Sequence, residues 1–148
     1  MNVYFLYHAR EVEPNVTDTK HIGIYSSMSA VDITINKYKN ITGFKDYPDN
    51  FVVEEYEVIG SESKELLSGN TIYFLQHEHS VDEDGIIYDY ITNIDMFADY
   101  HDAKKEMEQL IKGETYPKSP NGVYPPYGFC LDKCIIDEDN WIEGFVSS

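Results

Sequence analysis

The chain repeats itself, and the repeat limits what it can fold into. Val3-Tyr4-Phe5-Leu6-Tyr7-His8 returns as Ile72-Tyr73-Phe74-Leu75-Gln76-His77, with identical residues at the second, third, fourth and sixth places. Downstream of each copy the features keep one order. Ile22-Gly23-Ile24-Tyr25-Ser26-Ser27 matches Ile94-Asp95-Met96-Phe97-Ala98-Asp99 in apolar pattern. Val31, Ile35 and Tyr38 then correspond to Ala103, Met107 and Leu110, the i, i+4, i+7 face of a helix. Ser27 and Asp99 stand where an N-cap oxygen is wanted. Tyr47-Pro48 answers to Tyr124-Pro125, and the run Phe51 to Val58 to the run Phe129 to Ile136. A series in one order implies two diverged copies of one supersecondary unit.

Each copy reads as strand, hairpin, strand, helix, strand. The first hairpin is expected to turn within Pro14 to Asp18, the second at Asp82-Glu83-Asp84-Gly85. A right-handed crossover through the helix makes the third strand parallel to the second. Set beside the first strand, it gives a sheet of order 2-1-3. The expected fold class is α+β, a tandem pseudo-twofold ββαβ repeat of antiparallel sheets, each with one covering helix. The boundaries fall at 1–60 for the first unit, 61–70 for a Ser/Gly-rich linker and 71–148 for the second unit. Three strands and one helix make a thin core, so the units are expected to pack as one compact domain. The second unit also holds a long loop, Gly113 to Gly128, carrying Tyr116, Tyr124 and Tyr127 among its prolines and glycines.

Tyr4-x-Leu6-Tyr7-His8, Ile22 to Ser27, and Gly43-Phe44-Lys45-Asp46-Tyr47-Pro48-Asp49-Asn50-Phe51 together resemble a family of small uncharacterised bacterial proteins. In that family a single ββαβ unit usually ends in an Asp-x-x-x-Trp-x-Glu-Gly-Phe tail. The tail occurs once here, as Asp137-Glu138-Asp139-Asn140-Trp141-Ile142-Glu143-Gly144-Phe145, at the end of the second unit. The resemblance implies the fold and no activity. It also implies kinship with small acidic proteins encoded beside bacterial toxins, which is association rather than mechanism.

Charge narrows the partners. Eleven Lys and Arg against 27 Asp and Glu leave a formal charge of −16. Phosphate backbones and anionic membranes are repelled by such a chain, while a basic protein is steered towards it. No apolar run reaches the ~20 residues of a membrane helix, and the N-terminus lacks a signal peptide's basic start, so a cytoplasmic location is expected. Cys130 and Cys134, four residues apart on one strand face, would stand ~13 Å from each other, too far for a disulfide.

Four groups of residues could carry chemistry, and each has a plainer reading. His77 and His79 flank Glu78 and would share a strand face, a spacing that suits zinc, with His8, Asp82 or Asp84 as a third ligand. Satisfied structural histidines are the plainer account. Asp82-Glu83-Asp84-Gly85 lacks the distal Glu of a calcium loop and reads as a solvated turn. Glu54, Glu55 and Glu57 alternate along a strand without an inferable pocket. Trp141, a lone tryptophan in the tail, could anchor a contact, but with Phe145 it is expected to close the core beside the last strand.

No nucleophile elbow, phosphate loop or Cys/His signature occurs. The expectation is therefore a non-enzymatic acidic module, without cofactor or metal, that neutralises a basic protein partner, most plausibly as a toxin immunity protein. The expected contact residues are Asp82, Glu83, Asp84, Tyr116, Tyr124 and Tyr127. Two alternatives remain: an acidic nucleic-acid mimic that blocks a DNA-binding enzyme, and a metal-dependent enzyme using His77 and His79.

Overall fold

The computed structural model describes residues 1–14, 16–63, 66–114, 116 and 128–146. Among them the fold is mixed α+β, with six strands and two α-helices. In chain order these are β1 (Asn2–Glu13), β2 (Val16–Tyr25), α1 (Met28–Tyr38), β3 (Phe51–Ile59), β4 (Thr71–Glu83), β5 (Ile86–Phe97), α2 (Tyr100–Gly113) and β6 (Phe129–Ile135). None of the described helices is long and apolar enough to cross a membrane. Contacts divide the chain into two units. The first holds Met1–Glu57, Leu67–Asn70 and Ile135–Ser148, the second Val58–Leu66 and Thr71–Cys134.

In the first unit β1 is central, antiparallel to β2 on one edge and to β3 on the other. The β1–β2 register shifts between Leu6 and Tyr7, where Ile22 is passed over. Such an extra residue bends a strand and tightens its twist. Helix α1 begins where the Ser27 side chain accepts a hydrogen bond from the Ala30 amide at 3.1 Å. It buries Val31 and Tyr38 against Leu6, Ile22, Tyr25 and Phe44. Beyond Asn2–His8, which pairs with β3, the β1–β2 hairpin runs on as a two-stranded arm.

The Trp-containing tail follows β6 in sequence but completes the first unit. Ile136 bridges Ile24 in parallel. The amides of Asp137 and Asn140 donate to the carbonyls of Ile24 and Ile22, each at 2.8 Å, and the Phe145 amide donates to Thr42 O at 2.9 Å. Side chains add to this seam. Asp137 accepts from the Ser26 amide and hydroxyl at 2.9 and 2.7 Å, and the Tyr38 hydroxyl donates to Asn140 O. Gly144 has φ of +74°, and a Cβ there would stand 2.3 Å from Thr42 O, so the closest approach is open only to glycine. Sequence order puts this segment with the second unit; its hydrogen bonds put it with the first. Trp141 also departs from expectation, being 44% exposed rather than in a core. Phe145 does pack on a core, that of the first unit, edge-on to Phe44.

In the second unit β4 lies between β5 and β6. β5 pairs with β4 along its length and, in parallel, with Val58 and Ile59, the last residues of β3. The β4–β5 register shifts between Leu75 and Gln76, passing over Ile94. The hairpin closes at Asp84-Gly85, with φ of +55° and +84°. This is the Asp-Gly pair that a two-residue primed turn favours, because its twist matches that of the strands. Asp99 caps α2, accepting from the His101 amide at 2.7 Å. Ala103 of α2 is buried with Leu75, Phe97 and Phe129, and Met107 and Leu110 pack at the margin.

Candidate functional site

The sequence singles out the hairpin and loop of the second unit. The backbone of Asp82 pairs with Ile87 near the end of β4, and Glu83 and Asp84 are exposed beside it. Exposure continues along β5, where Ile86, Tyr90 and Ile91 are 56%, 47% and 53% exposed and Asp89 lies between them. Branched and aromatic side chains suit a strand even when half of them face water. Along the edge of β5 opposite β4, pairing occurs only at Met96 and Phe97, so among the described residues Ile86 to Asp95 have no second strand partner. An edge of this kind offers open amides and carbonyls to another chain.

Tyr116 is drawn inward. Its ring lies 4.9 Å from that of His77 and 5.4 Å from that of Phe129, at the margin of the core. Tyr124 and Tyr127 fall outside the described residues.

The histidines separate into roles. His77 is fully buried, 4.8 Å from the Phe129 ring, and its ring lies 5.7 Å from that of His79. His79 stacks on Tyr90, the residue opposite it on β5, at 5.2 Å. His8, the counterpart of His77, is buried in the first unit among Phe44, Tyr47, Phe51 and Phe145. Its Nε2 donates to Tyr47 O at 3.0 Å. Burial pushes the His8 pKa below the ordinary histidine value. Among the described residues no three His, Cys, Asp or Glu side chains gather as metal ligands.

The carboxylates of β3 are engaged. Glu54 accepts from Tyr7 at 2.9 Å and from Tyr56 at 2.8 Å, and Glu55 accepts from Asn2 at 2.6 Å. Burial, with the Glu54 bond second, pushes the Tyr7 pKa up to about 12. Both cysteines are free. Burial, reinforced by Asp132, pushes the Cys134 thiol up to about 11.

The structure also builds a site that sequence reasoning missed. A cleft of about 630 Å³ opens in the first unit between the β1–β2 arm and the tail. The arm supplies Arg10, Val12 and Lys20, with Glu13 and Asp18 beside them; the tail supplies Trp141, Phe145 and Val146. Arg10 stands opposite Asp18 and His8 opposite Lys20, so the four share one face. The Lys20 ammonium sits 3.9 Å from the Phe145 ring centre and 5.3 Å from that of Trp141, and it pairs with Asp18. The Arg10 guanidinium lies 4.7 Å over Tyr47. Arg10 is the only arginine of the chain and Trp141 the only tryptophan, a rarity that was the one signal available in the sequence.

Residues 1–66 match the model of a family described as a domain of unknown function, DUF7336. The match covers β1, β2, α1 and β3. Comparison with the curated proteins and with the solved structures gave no match.

Proposed function

We propose that the chain is a non-catalytic binding module whose acidic β4–β5 hairpin docks a basic protein partner, in the manner of a toxin immunity protein. The observation that carries this reading is the open edge of β5 with apolar side chains exposed beside it. Ile86, Tyr90 and Ile91 supply contact area, and the edge of β5 away from β4, which from Ile86 to Asp95 has no strand partner among the described residues, can take an added strand. Glu83, Asp84 and Asp89 surround those residues with charge, which favours a basic partner and rejects an acidic one. Asp82, Tyr124 and Tyr127 are included in the proposed contact set on their sequence alone; Tyr116, packed against His77 and Phe129, is left out of it. The setting we propose is the bacterial cytoplasm.

We also read the chain as a fused pair of diverged ββαβ units, with the Trp-containing tail as the family's mark. In support, both hairpins skip a residue at matching places, Ile22 and Ile94, and both helices open on a side-chain cap.

The test begins with capture of the partner from the native source and continues with a variant. Ile91→Asp is expected to weaken the purified complex by at least tenfold, with an unchanged melting temperature, because the position is exposed. Unchanged affinity, a captured partner of net negative charge, or capture of a DNA-binding enzyme that competes with its DNA would overturn the proposal.

A further inference from the structure

We propose that the first unit carries a separate small-molecule site, the cleft between the β1–β2 arm and the tail, and that it takes an aromatic carboxylate. The carboxylate would meet Arg10 and Lys20, and the ring would lie between Val12 and Trp141.

Size and chemistry both support this. About 630 Å³ is within the range of small-ligand pockets. The walls combine apolar surface with a few convergent polar groups, which is what fixes a ligand's orientation. Sign of charge selects the ligand. Two fixed cations already occupy the ring faces, Lys20 over Phe145 and Arg10 over Tyr47, so an entering cation meets like charges. An anion gains charge-assisted contacts from both cations. Two carboxylates also line the cleft: Asp18, beside Lys20, is the group the ligand must share that ammonium with, and Glu13, exposed on the arm, must stand away from the ligand's carboxylate.

Trp141 gives independent support. Its φ is +60°, a conformation that costs a bulky residue free energy, and its indole nevertheless remains 44% exposed. The turn closed by the Gly144 amide on Trp141 O thus leaves a half-exposed indole on the wall of the cleft.

Because Trp141 is the only tryptophan, emission excited selectively at the red edge of indole absorption, where the 13 tyrosines do not absorb, reports on this cleft. The experiment titrates benzoate and, separately, benzylammonium at constant ionic strength. Saturable quenching by benzoate, with at least tenfold weaker response to benzylammonium, is expected. Arg10→Met and Lys20→Met should each weaken benzoate binding by about tenfold, the loss expected for one hydrogen bond to a charged group. A melting curve on each variant confirms that the tail is still seated. If a variant does not fold, the comparison of the two ligands on the unaltered chain still decides. No saturable response, equal responses to the two ligands, or folded variants that bind benzoate undiminished would each overturn the proposal.

Discussion

Asp139 and Tyr25 lie far apart in sequence, yet the fold makes their stabilities interdependent. The Tyr25 hydroxyl, on a ring only 2% exposed, donates to Asp139 Oδ1 at 2.6 Å. Lys37 lies 3.0 Å from the other carboxylate oxygen, but its side chain is 53% exposed and contributes little. A hydrogen bond to an ionised group contributes about 1.5–3 kcal/mol, and removing one partner leaves the other's desolvation uncompensated. Asp139→Ala should therefore cost about 2 kcal/mol, or about 4–8 °C in Tm for a chain of this size. Tyr25→Phe should cost about 1 kcal/mol, because Asp139 keeps Lys37 and solvent. The double variant should cost at least about 1 kcal/mol less than the sum of the two, since both remove the same bond. Thermal unfolding followed by circular dichroism, run on all four proteins, reads the cycle. Additivity within about 0.5 kcal/mol would mean that the tail is not seated on the first unit, and would refute the reasoning.

Four further outcomes rest on the same geometry. His8 is buried neutral with a lowered pKa, so below about pH 6.5 the unfolded chain takes up a proton that the folded chain refuses. Stability should therefore fall as pH drops through that value, and His8→Gln should flatten the dependence in an acid titration. The unreduced, unfolded protein should show two free thiols, and in the folded protein Cys134 should alkylate slowly until the pH approaches 11. Finding none, or fast labelling of Cys134 at neutral pH, would contradict the burial described. Raised tyrosine pKa values act at the other end: with Tyr7 and Tyr38 both near 12, the unfolded chain ionises first, and stability should fall between about pH 10 and 12. Tyr116→Ala should cost about 2 kcal/mol in a denaturant titration, because the ring is wedged against His77 and Phe129.

Local features were legible because their causes are local. Ser27 and Asp99 cap helices through atoms two or three residues away. The Asp84-Gly85 turn follows from the ease with which those residues adopt positive φ. The seating of the tail was not legible, because it depends on Asp137, Asp139 and Gly144 meeting Ser26, Tyr25 and Thr42, over a hundred residues earlier in the chain. Trp141 was read inward on hydrophobicity, whereas a left-handed backbone at that residue leaves it half in water. The cleft needs both the β1–β2 register, which sets Arg10 opposite Asp18, and the return of the tail. Neither is written in residue spacing. At the hairpin the acidic residues were legible, but the open edge of β5 was not, since it depends on where β3 stops pairing.

The proposal that an acidic module captures a basic partner is tested most directly by the rate of association as a function of salt. The chain's charge of −16 should steer the partner in, and screening shortens that reach from about 14 Å at 0.05 M to about 4 Å at 0.5 M ionic strength. Stopped-flow mixing with the captured partner should show an association rate that falls at least about tenfold across that range, with a much smaller change in dissociation. A rate that stays flat would contradict the account.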